Sequence, residues 1–285
     1  MSERRADPTA VSFLIGYELR VARERARISQ VEASKEIGSS TAKINYLETG
    51  RTQQQPADIR KLLALYGVDE KHIDRVVSLA ARADQNPWWT PFGEVLPDWF
   101  KTFVGLEGMC EGLFAFESMK LPGQVQTPEY ARALFADSIE IAPLEIDQVV
   151  KARMARQRLE TETAPLNFRA VIDEAVLHRL VGGPAVMRQQ LEHLLDLMKR
   201  DNVELHIMPF SVPVHDGING DFVLLDLPGD RSIGYVEHST GALYVQDEDQ
   251  LRWYKLAAER LCAAALSPAE SADMLAERIA AIDNN

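Results

Sequence analysis

The stretch from Ser29 to Gly50 constrains the fold of this chain more than any other part, because it predicts two short helices joined by a tight turn. Ser29 and Glu32 have the spacing of a capping box, in which the serine hydroxyl accepts a helix N–H and the glutamate accepts the N–H of the serine. A helix should therefore begin at Gln30. Gly38 supplies the backbone freedom that is needed where a helix ends and the chain reverses. The stretch thus predicts a helix-turn-helix.

The second helix of this stretch should begin after Ser39 or Ser40, either of which can cap it. Ile44 and Leu47 are predicted to face inward at a spacing of three residues. The outward face carries small or hydrogen-bonding side chains, namely Thr41, Ala42, Lys43, Asn45 and Tyr46. Such a face can enter a major groove and contact base edges. Two capped helices with a glycine turn also occur in ordinary helical bundles, so the spacing alone leaves a structural interpretation open.

The residues themselves favour the first interpretation. The stretch contains Ser-Gln, Gly-Ser-Ser and Lys-Ile-Asn-Tyr-Leu-Glu-Thr-Gly-Arg, followed by Pro56. In these segments it resembles the DNA-binding domain of the Xre or phage-repressor family. The resemblance implies that Gln30 and the cap formed by Ser39 or Ser40 contact phosphate. It also implies that four side chains face the bases: Thr41, Ala42, Asn45 and Tyr46.

The same resemblance implies roles for other charged positions. Two cationic residues complete the DNA-binding set that we predict, Lys43 and Arg51. The family pairs an arginine of its first helix with the glutamate that ends its third, and Arg23 and Glu48 occupy those positions. We expect this ion pair to be structural. Thr41 and Ala42 have shorter side chains than the family commonly has at its base-reading positions. Asn45 and Tyr46 should therefore carry more of the base readout.

Length and composition are those of a soluble protein with two domains. The chain has 285 residues, of which 46% are apolar and 26% are charged. It contains no apolar run long enough to cross a bilayer, and its first residues lack a signal-peptide core, so we expect a cytoplasmic protein without membrane contact. Cys110 and Cys262 have no metal-ligand spacing and should pack as small apolar residues.

The charge distribution suits a small DNA-reading head on an acidic body. The net charge is −12, yet residues 1–60 hold 10 basic against 8 acidic residues, and the remainder holds 21 against 35. Affinity for the nucleic-acid backbone is largely attraction between cations and phosphate. The acidic body should repel the duplex, so non-specific affinity should be modest. Useful binding should then need a homodimer that reads two half-sites of a pseudo-palindromic operator.

We assign residues 1–84 to an Xre-type helix-turn-helix domain and residues 85–285 to an α+β regulatory, partner-binding or dimerisation domain. In the head, helices are predicted at about 12–26, from Pro56 onward, and at about 70–83. Residues 84–87 form a predicted linker. Trp88 and Trp89 follow it and should dock the linker on the second domain, although an effector cage is an alternative.

The body is predicted to contain an antiparallel sheet among helices. Helical patterns cover about 98–120, 127–135, 145–160, 183–198, 248–266 and 267–282. Alternating patterns predict strands at 166–172, 203–208, 222–227, 232–237 and 242–245, the last three in an antiparallel meander. The helix near 145–160 carries four cations that could receive an acidic ligand or form a solvated face: Lys151, Arg153, Arg156 and Arg158.

Several body segments resemble one regulator family. They are Trp88-Trp89, Pro122-Gly123, Gln126-Thr127-Pro128-Glu129-Tyr130, Arg153 with Arg156-Gln157, Gln190-Leu191, Met208-Pro209-Phe210 and Tyr235-Val236-Glu237. Together they resemble the C-terminal domain of actinobacterial WhiJ-like proteins, which are antitoxin-like transcriptional regulators. The resemblance implies a small acidic partner protein encoded nearby and a role in development or specialised metabolism. It brings no binding residues for the body.

No motif of enzymatic chemistry appears, so we expect no catalytic residue, no metal and no cofactor. His215-Asp216 and His206 lack the further ligands of a metal-dependent phosphohydrolase. Three functions remain: a dimeric regulator of transcription that receives a signal through its body, an antitoxin-like module that binds a partner and autoregulates its operon, and a sensor of a small molecule.

Overall fold

The computed structural model describes residues 7–81, 87–136, 138–139, 141–161 and 164–283. These residues divide between two compact units. The first unit runs to Pro91 and includes Asp98–Met109, and the second holds Phe92–Pro97 and the chain from Cys110 onward. The predicted domain boundary after residue 84, and most of the predicted linker at 84–87, lie outside the described residues.

The described part of the first unit is helical. Its helices are α1 (Pro8–Arg25), α2 (Gln30–Glu36), α3 (Thr41–Glu48), α4 (Pro56–Leu65), α5 (Glu70–Ala81) and α6 (Asp98–Met109). The first helix begins four residues earlier than predicted. Asp7 is the reason, since its carboxylate accepts the N–H groups of Thr9 at 2.9 Å and Ala10 at 3.2 Å and so caps the helix before Pro8.

Four helices of this unit end in the same backbone motif. In α3, for example, the N–H of Arg51 donates to the carbonyl of Tyr46 at 3.0 Å, and Gly50, which directly precedes Arg51, has a left-handed backbone. Glycine fills the left-handed position after α2, α3 and α4: Gly38, Gly50 and Gly67. After α1 the position is taken by Arg27, with φ of 56°. An L residue with a side chain is strained there.

The second unit is built on a six-stranded sheet. Its strands are β1 (Gly112–Glu117), β2 (Asn167–Asp173), β3 (Val203–Met208), β4 (Phe222–Leu227), β5 (Arg231–His238) and β6 (Gly241–Val245). Their order is β3-β2-β1-β4-β5-β6. The predicted antiparallel meander is confirmed for β4, β5 and β6. Strand β4 also pairs antiparallel with β1. The whole sheet is mixed, because β1, β2 and β3 run parallel.

Helices surround this sheet, and one predicted helix is wrong. The helices are α7 (Pro128–Ala136), α8 (Ile146–Arg156), α9 (Glu174–His178), α10 (Pro184–Leu197), α11 (Glu248–Ala264) and α12 (Pro268–Asp283). The helix predicted over 98–120 ends at Met109, and the segment after it is β1. Residues 113–116 are buried on both faces of this central strand, so they show no alternation that would distinguish a strand from a buried helix.

An aromatic core joins α11 to one face of the sheet. Its members include Phe114, Phe116, Phe222, Leu224, Val245, Leu251 and Leu261. None of the described helices is both long and apolar enough to span a membrane.

Candidate nucleic-acid interface

The exposed side chains of α3 lie on one continuous side of the helix. At about 100° per residue they cover an arc of roughly 140°, and they are Thr41, Ala42, Asn45 and Tyr46. Ile44 and Leu47 lie on the opposite side and are buried. The structure therefore brings together the four side chains that we predicted to face bases, on a surface that the described protein leaves open.

The ends of α3 are fixed by local hydrogen bonds. Ser40 is the cap residue, and its hydroxyl accepts the N–H of Lys43 at 3.2 Å. The backbone N–H of Ser39 is used in the turn, where it donates to the carbonyl of Ser34 at 2.9 Å. Arg51 is exposed just beyond the helix end. The N-terminus of α3 therefore opens toward solvent with its cap in place, as an approaching phosphate would require.

Lys43, the cation that was predicted on this surface, already forms an ion pair within the protein. Lys43 Nζ lies 3.0 Å from Asp58 Oδ2, and the lysine side chain is 41% exposed. This contact joins α3 to the start of α4. An exposed ion pair of this kind is weak, with a median value of about 0–1 kcal/mol. A phosphate could therefore replace Asp58 as the partner of Lys43 at small cost.

Glu48 ends α3 and is the centre of a buried polar network. Its carboxylate accepts hydrogen bonds from Arg23 Nε at 2.5 Å and Arg23 Nη2 at 3.0 Å. It also accepts one from Gln30 Nε2 at 2.9 Å. Arg23 Nη1 donates to the carbonyl of Ile28 at 3.0 Å. The hydrogen bond to Glu48 raises the pKa of Arg23. One carboxylate thereby holds α1, α2 and α3 in a fixed mutual arrangement.

Gly16 lets α1 and α3 approach at backbone distance. A Cβ atom at this position would lie 2.7 Å from the carbonyl oxygens of both Leu47 and Glu48. Any larger residue would force the two helices apart. The sequence carried a weak signal of this contact, since an isolated glycine within a helical pattern often marks close packing.

One buried polar residue of the head was missed by the sequence analysis. Gln54 is 3% exposed, and its side-chain amide donates to the carbonyls of Ser12 at 2.9 Å and Leu47 at 2.7 Å. The glutamine-rich segment around it gave no sign that one member is buried. Tyr66 is also buried, and burial, with the charge of Glu48 adding to it, raises the pKa of its hydroxyl.

In the second unit, buried glutamines hold the loop that follows β1. Gln190 is fully buried, accepts the N–H of Thr127 at 2.6 Å and donates to the carbonyl of Val125 at 2.7 Å. Gln157 donates to the carbonyls of Gly123 at 3.1 Å and Gln126 at 2.7 Å. Several of the body residues that carried the family resemblance therefore meet at this loop, namely Gly123, Gln126, Thr127, Gln157 and Gln190.

Comparison with protein families accounts for both units. Residues 14–76 match the model of a helix-turn-helix domain, and residues 100–277 match that of a domain of unknown function (DUF5753). The chain belongs to the DUF5753 family. Its helix-turn-helix domain suggests a DNA-binding regulator. No curated protein and no solved structure matches the chain.

The cations that were predicted on a helix near 145–160 are largely used inside the DUF5753 domain. Arg156 is 6% exposed. Arg158 Nη1 donates to the carbonyl of Cys110 at 3.1 Å. The guanidinium of Arg153 lies 5.2 Å from the ring centre of Phe135. These three arginines therefore do not form the solvated face that was one of the two predicted roles, whereas Lys151 is exposed.

A row of carboxylates crosses one face of the DUF5753 sheet. The register of β1, β4 and β5 places Glu117, Asp221 and Glu237 side by side. Burial raises the pKa of Glu117 to about 8, the charges of Asp221 and Glu237 add to this rise, and Lys120 opposes it. Among the described residues, no group of three His, Cys, Asp or Glu side chains has the geometry to hold a metal ion.

Proposed function

We propose that this chain is a sequence-specific, Xre-type regulator of transcription that works as a homodimer in the cytoplasm, without enzymatic activity. The observation that carries the proposal is the exposed arc of α3, formed by Thr41, Ala42, Asn45 and Tyr46. A helix in the major groove needs small and hydrogen-bonding side chains at these positions. The resemblance of the body to WhiJ-like actinobacterial regulators supports a second role, in which the DUF5753 domain receives a protein or small-molecule signal.

The charge balance supports a dimer. With 10 basic against 8 acidic residues in positions 1–60, one head has little long-range attraction for DNA, and the acidic body repels the duplex. Two linked heads that read two half-sites gain affinity because the second contact becomes intramolecular. A dimer with two-fold symmetry reads half-sites about one helical turn apart.

A footprint on the promoter region of the protein's own gene tests the proposal. We expect two protected half-sites whose centres lie about 10 base pairs apart. Tyr46→Ala should relax base preference at one position of each half-site. Leu65→Ala is a matched control, since Leu65 is an exposed apolar residue that ends α4. Binding without sequence preference, or equal effects of both variants, would overturn the proposal.

A second candidate is an antitoxin-like module that binds a small acidic partner protein and autoregulates its operon. It is favoured by large apolar side chains that are exposed on the segments following β1, β2 and β3. These segments lie at the end of the sheet where the three parallel strands terminate, and the side chains are Met119, Leu180, Phe210, Val214 and Ile218. Arg179 lies among them, with Nη2 3.4 Å from the sulfur of Met119. An apolar surface with a cation suits an acidic protein partner.

Co-expression with the neighbouring gene distinguishes this candidate. A stable complex should form, and Ile218→Lys should weaken it while DNA binding is unchanged. Leu144→Lys is the control, because Leu144 is equally apolar and 96% exposed at another place on the body. If no complex forms with the product of the neighbouring gene, this candidate is removed and the first proposal is unaffected.

A further inference from the structure

The two edge strands of the DUF5753 sheet, β3 and β6, differ in whether other parts of the chain cover them. At the β3 edge, the carbonyl of Ile207 accepts the N–H of Leu266 at 2.9 Å, and the N–H of Ile207 donates to the hydroxyl of Ser271 at 2.8 Å. The chain thus covers β3 with its own backbone and side chains. The sheet order ends at β6 on the other side, and the described residues include no strand beyond it.

The β6 edge lacks the features that usually prevent pairing. Exposed edge strands are commonly protected by charged residues, proline or a bulge. Residues 241–246 read Gly-Ala-Leu-Tyr-Val-Gln and carry neither charge nor proline. The rest of the body is strongly acidic, so two copies would repel each other over most of their surface. Within residues 241–246 two copies can meet without that penalty, and the carboxylates nearest to this segment are those of Asp247, Glu248 and Asp249 at the start of α11.

Exposed apolar side chains accompany the edge. Leu243 is 57% exposed and lies two residues from Val245, on the same face of the sheet. Val245 and Leu251 belong to the same buried core, so the first turns of α11 pack near the end of β6 and against β5. Trp253 and Leu256 of those turns are 49% and 59% exposed. Tryptophan and leucine so exposed beside an open strand are typical of a surface that a partner covers.

We propose that β6 and the first turns of α11 form the dimer interface, in which β6 pairs antiparallel with β6 of a second copy of this chain. The choice of a second copy rests on the proposed function, which requires two heads, and on the strand itself. An antiparallel pair of identical strands is self-complementary about a two-fold axis. Pairing would join the two sheets, and Leu243 and Trp253 would be covered along the seam.

Sedimentation of the full-length protein tests this interface. The wild type should sediment at about twice the chain mass of 31.9 kDa, and Leu243→Lys should raise the dissociation constant of the dimer about 30-fold or more. Leu144→Lys changes a more exposed leucine, just before α8, and should leave the constant unchanged. A wild type that stays monomeric at all concentrations, or a dimer that Leu243→Lys does not weaken, overturns the proposal.

Ala242→Pro supplies a second variant. β5 and β6 are joined by a two-residue turn and His238 pairs with Gly241, so the alternation of the antiparallel ladder directs the N–H of Ala242 away from β5. Loss of this N–H should weaken the dimer, and circular dichroism should report an unchanged fold. A dimer that keeps its affinity contradicts the pairing.

The two proposals can fail separately. If Leu243→Lys yields monomers while no operator is found for the wild type, the interface stands and the gene-regulator function is wrong. If the footprint shows two half-sites and Leu243→Lys remains dimeric, the regulator stands and the interface lies elsewhere.

Discussion

The side-chain amide of Gln30 donates a hydrogen bond of 2.9 Å to Glu48, so the first residue of α2 is joined to the last residue of α3. The resemblance to the Xre family assigned Gln30 to phosphate. Its amide group is used inside the protein as well, and its side chain is half-buried. Gln30 therefore links the start of α2, where we predict a phosphate contact, to the end of α3.

We expect Glu48→Ala to lower the free energy of unfolding by about 3 kcal/mol, because the largely buried Arg23 loses its two short hydrogen bonds to a carboxylate and keeps a longer contact, at 3.7 Å, to the exposed Glu24. Gln30→Ala should cost about 1 kcal/mol and weaken binding to all DNA sequences alike. Urea denaturation of the full chain measures the first effect and salt-titrated DNA binding the second. Glu36→Ala is the control, since Glu36 is exposed at the end of α2. An equal cost for Glu36→Ala would contradict the role of the network.

Arg27→Gly should stabilise the head, because Arg27 has the left-handed φ of 56° that glycine adopts without strain. We expect a gain of up to about 1 kcal/mol in the free energy of unfolding. Arg25→Gly makes the same chemical change two residues earlier, within α1. It should instead cost about 1 kcal/mol. Thermal melts of both variants check the opposite signs, and a loss in both would contradict the strain argument.

Gln190→Leu should destabilise the DUF5753 domain by about 2–4 kcal/mol, since it leaves the N–H of Thr127 and the carbonyl of Val125 without their buried partner. Leucine keeps most of the volume, so the cost reports the hydrogen bonds. The neighbouring Gln189 is exposed, and Gln189→Leu should change stability by less than about 0.5 kcal/mol. Denaturant midpoints of the two variants make the comparison. Similar midpoints would show that the glutamine clamp is not what holds the loop.

Glu117→Gln should remove a pH dependence of stability. The pKa of Glu117 is raised to about 8 in the folded protein, from an ordinary value of 4.5. Because the folded state holds the proton more tightly than the unfolded state, this contribution is complete below the lower value and is lost as pH rises toward the upper one. The melting temperature of the variant should therefore fall less between about pH 5 and pH 8 than that of the wild type. Glu277→Gln, an exposed change in α12, should follow the wild type.

The helix-turn-helix could be read from the sequence because its determinants are local. Ser29 and Glu32 form the predicted capping box, with bonds of 3.2 Å and 2.8 Å, and Gly38 takes the left-handed turn. The helical period of α3 also predicts which of its side chains face away from the protein core. Local rules sufficed where a residue's neighbours in space are its neighbours along the chain.

The rest depends on contacts between distant segments. Strand β1 is buried on both faces by elements far away in sequence, so its residues lack alternation and were joined to the preceding helix. Gln54 is buried through bonds to Ser12 and Leu47, which no local pattern reveals. Parallel pairing of β1 with β2 likewise joins segments more than 50 residues apart.

Gly16 of α1 packs against the main-chain carbonyls of Leu47 and Glu48 in α3. The four side chains that we propose face bases take no part in that contact. The residues that position α3 are thus different from those that we propose contact bases. Substitutions among Thr41, Ala42, Asn45 and Tyr46 should move the protein to new operators without a new fold, so related regulators can diverge in their targets while the scaffold beneath stays the same.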